Sequence, residues 1–210
     1  MQDTFVKNNN INEIDKEEEN HSVWLEHKSF RIALVSIFSA LALVIGYLLA
    51  NILNIELFTL TIFLSGFILG KRDGMIVGFL SSSIFCFFNP YGASPLPLYA
   101  VQLTHYTLTG LLGAVTNQFL NKRNLLKADN DLYIRPVLII LGSIGAIITI
   151  NFQFFASLAD FLSYYGTFEQ FLPYFVSGIP FAITHIIGNT LGFIFILPGL
   201  IQLIQKMLLF

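Results

Sequence analysis

The sequence predicts an all-α membrane protein: a six-transmembrane-helix bundle with its N and C termini in the cytoplasm. Two observations support this class. Hydrophobic residues make up 55% of the 210 positions and charged residues only 11%, whereas a soluble domain carries about 25% charged residues. Lys and Arg also cluster at alternate connections between the apolar segments. Such a chain cannot cover itself with groups that water solvates, so we expect a lipid bilayer to surround it.

Six apolar segments are candidates for membrane-crossing helices. A helix needs about 20 apolar residues to cross the bilayer core, and the second and third segments are short by that measure. The chain thus divides into an acidic cytoplasmic tail, residues 1–28, predicted to be disordered because it lacks an apolar run, and a membrane domain, residues 29–210. The predicted spans are about 31–51, 56–70, 74–88, 96–120, 135–160 and 174–206.

The distribution of Lys and Arg predicts the orientation. All 11 basic residues lie in the tail and the start of the first span, in the second and fourth connections, or at the C-terminus. Cytoplasmic loops carry the excess of Lys and Arg in membrane proteins. We therefore expect a multi-pass protein of the plasma membrane, with the connections near 51–55, 89–95 and 161–173 outside the cell.

Polar side chains fall within the apolar spans, in pairs that share a helix face. Gln102 and His105 are three residues apart in the fourth span, with Tyr106 beside them, and His185 and Asn189 are four apart in the sixth. Ionisable groups within a span are costly and usually face a cavity or a partner. The pattern predicts a solute pocket that opens outward. The alternative is that these side chains are interhelical hydrogen bonds, each worth about 0.6–2 kcal/mol.

Further candidate contacts lie at the predicted outer ends of the helices. Asn151 and Asp160 occupy the outer part of the fifth span, and Asn89, Tyr91 and Tyr164 lie in or beside the outer connections. Each has a simpler interpretation as well. Asp160 would be solvated at headgroup depth, Tyr164 would belong to the interfacial aromatic belt, and the Pro- and Gly-marked segment around Asn89 would be only a turn.

The chain lacks the sequence motifs that mark several classes of function. It contains no G-x-x-x-x-G-K-[ST] phosphate loop, no H-E-x-x-H, no G-x-S-x-G and no C-x-x-C. The single cysteine, Cys86, permits no intramolecular disulfide. We expect no metal, no cofactor and no nucleic-acid partner. A transporter of this size without its own energy source would be a subunit of a larger machine.

Small residues at four-residue spacing mark close helix contacts. In the first span Ser36 pairs with Ala40, and Ala42 with Gly46. The second and third spans carry Gly66, Gly70, Gly74 and Gly78. Such faces let helices approach closely in lipid. Packing inside the bundle and docking of another membrane protein both remain open as explanations.

Four segments, taken in order, resemble one known family. They are ALVSIFSALAL in the first span, LSGFILGKRDGMIVGFLSSSIF across the second and third, the Pro-rich outer connection with THYTLTGLLGAV, and HIIGNTLGFIFILPGLIQLIQK in the last. Over about residues 30–206 the chain is similar to the substrate-binding S component of energy-coupling factor transporters, which import vitamins. The acidic tail is not part of the family pattern.

The resemblance implies a non-enzymatic subunit in a bacterial cell membrane. It implies capture of a vitamin or related micronutrient in a pocket near the outer face. It also implies two kinds of partner, a transmembrane coupling protein and two cytoplasmic ATPases. In that family the small residues of the first helix dock onto the coupling protein, and Ser36 and Ala40 match those positions best.

The predicted outer side has no Lys or Arg, so a strongly anionic ligand is not expected, because burying an unpaired anion is costly. A thiazolium, corrin or nucleobase-like compound would suit aromatic and neutral polar walls. Two other functions stay open. One is a small intramembrane enzyme that uses His105, His185 and Asp160 for acid–base chemistry. The other is a structural membrane subunit whose polar residues only hold helices together.

Overall fold

The computed structural model describes residues 27–52, 55–126, 131–164 and 168–208, and within these ranges every regular element is helical. The all-helical class is confirmed, and each predicted span corresponds to one helical rod. The tail predicted over residues 1–28 lies outside the described residues except for its last two. The elements are α1 (Lys28–Leu49), α2 (Phe58–Leu69), α3 (Lys71–Phe87), α4 (Leu96–Lys122), α5 (Arg135–Tyr164), a 3-10 turn (Phe168–Gln170), α6 (Phe171–Leu191), a π-helical segment (Gly192–Ile196) and α7 (Leu197–Leu208).

Three helices in the described part of the chain are long and apolar enough to cross a membrane. They are α1, α5 and the continuous rod Phe171–Met207, which joins α6, the π segment and α7 over 37 residues. α2 is equally apolar but has only 12 residues, so it extends only about 18 Å at 1.5 Å per residue. That is well short of the roughly 30 Å bilayer core.

Contacts between helix ends show that successive helices run in opposite directions. Arg31, near the start of α1, donates to Asp73 near the start of α3 (Nε to Oδ2, 2.8 Å) and to the carbonyl of Leu69 at the end of α2 (3.3 Å). Between α3 and α4, Tyr91 donates its hydroxyl to the carbonyl of Ala50, just after α1 (2.6 Å). We term the end of the bundle at Arg31 the proximal end, and the end at Ala50 the distal end.

α2 is the central helix of the bundle. All of its residues except Ile68 are buried, so it has no polar face. A helix that is hydrophobic all round must be enclosed by other elements, and α1, α3 and α4 pack around it. Two of its hydroxyls donate to nearby backbone carbonyls, that of Thr61 to Leu57 (2.8 Å) and that of Ser65 to Ile62 (2.7 Å). The protein around α2 therefore explains why so short a helix is stable.

Glycines bring the backbones of α2, α3 and α4 into direct contact. A Cβ at Gly66 would lie 1.8 Å from the carbonyl oxygen of Gly110, and one at Gly110 would lie 2.0 Å from that of Gly74. A Cβ at Gly78 would lie 2.1 Å from the carbonyl oxygen of Tyr106. Packing within the bundle thus explains Gly66, Gly74 and Gly78. Gly70 has a different role, because its φ of 92° makes the turn between α2 and α3.

The last rod is irregular where Pro198 follows the π segment. Proline has no N–H to donate into a regular α pattern, and single π turns commonly accommodate such a break. Tyr133, in the connection before α5, donates its hydroxyl to the carbonyl of Phe195 in the π segment (2.8 Å). Asp131 in the same connection accepts from Gln202 on α7 (3.2 Å). The α4–α5 connection therefore holds the irregular part of the rod.

Candidate functional site

A carboxylate, an imidazole and an amide meet between α2, α5 and α6. Oε1 of Glu56 lies 3.3 Å from Nε2 of His185 and accepts from Nδ2 of Asn189 at 3.2 Å. The hydroxyl of Thr59 donates to the same oxygen. Asn189 Nδ2 also donates to Oγ1 of Thr149 on α5 (3.0 Å). We term these five residues the Glu56 cluster. It brings together two sequence-predicted residues, His185 and Asn189, and three that were not predicted.

Glu56 is held by the first turn of α2. Its Oε2 accepts from the backbone N–H of Thr59 (3.0 Å), one of the N–H groups that have no partner inside a helix. A negative charge at this position also interacts favourably with the helix dipole. The short α2 therefore fixes the carboxylate in position, and its side chain remains 19% exposed.

The cluster lies deep within the bundle because α2 is short. The ring of Phe58, the first residue of α2, contacts Tyr106 of α4 edge-on, with ring centroids 4.8 Å apart. Tyr106 is ten residues after the start of α4, which is about 15 Å along that helix. Glu56, two residues before the start of α2, thus lies level with the interior of α4 and below the distal end.

Aromatic rings connect the cluster to the fourth helix. Phe152 of α5 lies between two of the predicted residues, with its ring centroid 4.8 Å from that of His105 and 6.0 Å from that of His185. Its centroid is also 5.7 Å from the ring of the buried Tyr106. One phenyl ring therefore separates His105 from the Glu56 cluster. His105, Tyr106, His185 and Asn189, predicted from separate helices, come together in one region.

A groove of about 570 Å³ lies between α4 and α5 on the other side of Phe152. Seven residues of α4 between positions 100 and 112 and five of α5 between 147 and 155 line it. The walls are mainly apolar, and their polar groups are Thr104, His105, Thr109 and Asn151. The helix continues to Tyr164, beyond the predicted end at 160, so Asn151 lies about 20 Å below the distal end of α5.

Three other predicted residues form a separate group at the distal end. Oε1 of Gln102 accepts hydrogen bonds from Sγ of Cys86 (2.9 Å) and Oγ of Ser94 (3.0 Å), so Gln102 ties α3 and its following connection to α4. In that connection, Asn89 Oδ1 accepts from the backbone N–H of Tyr91 (2.9 Å). These residues do not line the groove. They hold the α3–α4 connection over the distal end.

The predicted residues at the end of α5 also lie apart from the Glu56 cluster. Asp160 accepts from the hydroxyl of Tyr174 on α6 at 2.5 Å, which closes the distal end of the α5–α6 pair. Tyr164 is 69% exposed. His105, His185 and Asp160, the three residues of the enzyme hypothesis, therefore do not form one constellation. No group of three or more metal-ligating side chains occurs within the part of the chain that the structure describes.

The two small-residue pairs of α1 occupy different faces. Ala42 and Gly46 are buried, and Gly46 packs against Phe58 and Phe85. Ser36 and Ala40 are exposed, and the Ser36 hydroxyl bonds only within its own helix, to the carbonyl of Ile32 (3.0 Å). The pair predicted to dock a partner is therefore on a free face of the bundle.

Sequence patterns did not identify Glu56, Thr59, Thr149 or Phe152. Glu56 sits at the boundary of an apolar run, where a charge is easily assigned to a loop. A signal was present, since Glu56 is the one charged residue between Arg31 and Lys71. Thr149 and Phe152 have no such signal, because hydroxyl and phenyl groups are common throughout these helices.

No protein-family model, no curated protein and no solved structure matches this chain.

Proposed function

We propose that this chain is the substrate-binding S component of an energy-coupling factor type importer. It spans the plasma membrane of a bacterium six times, with both termini in the cytoplasm. It captures a vitamin or related micronutrient from outside the cell and performs no chemistry on it. A transmembrane coupling protein and two cytoplasmic ATPases drive release of the solute on the inner side.

The Glu56 cluster is the observation that carries this proposal. A carboxylate buried among membrane helices is expensive, and such groups usually belong to a solute or ion pathway. Here the carboxylate meets His185 and Asn189, with His105 one ring away. Donors and acceptors from four helices thus converge beneath the distal end, next to a groove, as in a solute-binding site.

The distribution of charge supports the proposed orientation. Among the described residues, the charged side chains near the distal end are Glu56, Asp160 and Glu169, all acidic. Basic residues lie at the proximal end and on α7. Because cytoplasmic segments are enriched in Lys and Arg, the proximal end faces the cytoplasm and the distal end faces outward. A solute would reach the cluster from outside.

The exposed face of α1 supports the proposal that another membrane protein binds this chain. Ser36 and Ala40 lie beside the exposed side chains of Ile37 and Val44, which are 59% and 53% exposed. Small residues on such a face permit close approach of another membrane helix. The chain has no nucleotide-binding motif, so the energy for transport comes from the partners.

Extraction of bound small molecules tests the proposal. The protein is purified in mild detergent, denatured in solvent, and its extract is compared by mass spectrometry with a mock purification. We expect one micronutrient-like compound in near-stoichiometric amount, lost in His185→Ala and retained in Tyr164→Phe, a control at an exposed residue outside the cluster. A clean extract, together with no binding to a panel of micronutrients, would reject capture.

A structural membrane subunit is the second candidate, and one observation favours it. Each polar side chain of the Glu56 cluster already has a hydrogen-bond partner within the protein, as expected for residues that only join helices. This alternative predicts no ligand, and His185→Ala would lower stability alone. The intramembrane enzyme has less support, because Asp160 bonds Tyr174 instead of joining His185.

A further inference from the structure

The charged groups near the distal end and an unused hydrogen-bond acceptor position on Glu56 together restrict the chemical class of ligand that the site can bind. Oε1 of Glu56 is crowded by three neighbours, but Oε2 accepts from Thr59 N alone among the described residues. A carboxylate oxygen can accept two hydrogen bonds. The side chain also keeps 19% of its surface exposed. One acceptor position on a negative group, in a partly exposed side chain, therefore has no partner among the described residues.

The surroundings of that acceptor favour a positive charge. The charged side chains near the described distal end, Glu56, Asp160 and Glu169, are all carboxylates. Around the largely enclosed Glu56 the dielectric is low, so the field of its carboxylate attracts cations and repels anions, whereas water screens the exposed Glu169. A cationic N–H donor would gain a charge-assisted hydrogen bond at Oε2 of Glu56. Among the described residues, an anion would meet no Lys or Arg side chain near the cluster.

The groove next to the cluster is suited to an apolar part of the same ligand. Its walls are mainly aliphatic and aromatic, and Phe152 and His105 form the side nearest Glu56. Aromatic rings provide flat surfaces for stacking and for contact with a cation. Phe152 lies between the groove and the imidazole of His185. A molecule that occupies both regions therefore has to pass this ring.

We infer that the site takes an amphiphilic cation, a compound with an apolar ring and a cationic nitrogen that carries a hydrogen. The ring occupies the α4–α5 groove against Phe152 and His105, and the nitrogen donates to Oε2 of Glu56. Binding in this way requires the Phe152 side chain to move from its position between the two regions. This inference rests on the proposed function and adds the chemical class of the solute.

The test uses two probes with the same ring and opposite charge, 2-naphthylmethylamine and 2-naphthoate. The full chain is placed in nanodiscs of zwitterionic phosphatidylcholine, and binding is measured by equilibrium dialysis against empty nanodiscs. We expect the amine to bind about tenfold or more tightly than the carboxylate, because a hydrogen bond to a charged group is among the stronger ones.

The Glu56→Gln variant tests whether the preference for the amine comes from the Glu56 carboxylate itself or from the overall negative charge near the distal end. Glutamine keeps the size and an acceptor for Thr59 but has no charge, so the preference for the amine should fall to about twofold or less. Glu169→Gln removes an exposed carboxylate near the same end and should leave the preference unchanged. If Glu56→Gln does not fold, Phe152→Leu provides a second variant, since loss of the aromatic ring against which the ligand packs should weaken amine binding, and Glu169→Gln again serves as the control.

Three results would overturn the inference. They are equal binding of the two probes, an unchanged preference in Glu56→Gln, or a co-purified micronutrient that is an anion. The last of these leaves the proposed capture function standing, so the two failures are distinguishable. Conversely, an empty extract together with no binding of micronutrients rejects solute capture itself. In that case, selective amine binding that depends on Glu56 would still support a site for cations.

Discussion

Oε1 of Glu56 lies 3.3 Å from Nε2 of His185, although 129 positions separate the two residues in the chain. The contact joins the segment just before the central α2 to the second half of α6. The two side chains are only 19% and 8% exposed, so water cannot fully replace a lost partner. Such a pair does not guarantee stability, since desolvation opposes the attraction, but removing one member alone is costly.

The first prediction concerns the loss of the acceptor at position 56. In Glu56→Ala the N–H and hydroxyl of Thr59 and the amide of Asn189 lose a partner. We expect the free energy of unfolding to fall by about 1–3 kcal/mol, the range for a buried polar group left unsatisfied. The measurement is reversible unfolding in mixed micelles.

Glu169→Ala is the matched control for that experiment. Glu169 is exposed, and substitutions at exposed sites without such features usually change stability by less than about 0.5 kcal/mol. Equal losses in the two variants would mean that the Glu56 cluster contributes no more to the fold than a solvated surface acid.

A second prediction concerns the glycines at which the backbones of α2, α3 and α4 come into contact. Gly110→Ala places a Cβ 2.0 Å from the carbonyl oxygen of Gly74 and 3.1 Å from the amide nitrogen of Met75. Backbone cannot yield as a flexible side chain does, so α3 and α4 must separate. We expect a loss of about 1–3 kcal/mol or more, measured by thermal unfolding of the purified protein.

Gly178→Ala is a control with the opposite expected sign. Gly178 lies within α6, and no atom lies within 4 Å of an added Cβ. Alanine favours the helix over glycine by about 1 kcal/mol, so this variant should be neutral or more stable. A loss at Gly178 as large as at Gly110 would show that helix packing does not explain the effect.

The apolar runs located the helices because lipid-compatible composition is a local property of the chain. The structure places α1 over Lys28–Leu49 and α4 over Leu96–Lys122, within three residues of the predicted ends. The largest difference, at the end of α5, has a physical reason. The predicted span ended at about residue 160, but Asp160 has a partner in Tyr174 on α6, and the helix continues past it to Tyr164.

The site was only partly predictable because contacts between distant segments have no local signal. The i,i+4 spacing correctly placed His185 and Asn189 on one face, yet their shared partner Glu56 lies more than 120 residues earlier. Gln102 shows the converse. Its polarity suggested ligand contact, but its side-chain oxygen is taken by Cys86 and Ser94. Polarity predicts that a side chain needs a hydrogen-bond partner, but it does not identify that partner.

The third prediction concerns the irregular part of the last rod. Tyr133→Phe removes the hydroxyl that donates to the carbonyl of Phe195 in the π segment (2.8 Å). We expect a loss of about 1 kcal/mol and faster amide hydrogen exchange across residues 192–202, measured by mass spectrometry, because local opening becomes easier.

Tyr91→Phe provides the comparison. Its hydroxyl also donates to a carbonyl, that of Ala50 at 2.6 Å, and Tyr91 is more exposed than Tyr133, 74% against 43%. Water can replace that bond, and the site is at the opposite end of the bundle, so exchange in residues 192–202 should not change. If both variants speed exchange there alike, the Tyr133 bond does not specifically hold the π segment.

The last prediction concerns the free face of α1 and depends on the proposed partners. Ala40→Leu adds a bulky group to a face that already exposes Ile37 and Val44. Because Ala40 is exposed, the bundle itself should fold as before. A close helix–helix approach at this position would be blocked, so solute uptake by cells that supply the coupling protein and ATPases should fall about tenfold.

Two further measurements distinguish loss of docking onto the coupling protein from loss of solute binding. The amount of compound that co-purifies with Ala40→Leu should equal that of the unchanged protein, because α1 does not line the α4–α5 groove. Ala93→Leu, the same substitution at an exposed alanine between α3 and α4, should leave uptake intact. Normal uptake in Ala40→Leu would mean that this face of α1 contacts only lipid, whereas a joint loss of uptake and bound compound would place the effect in the bundle.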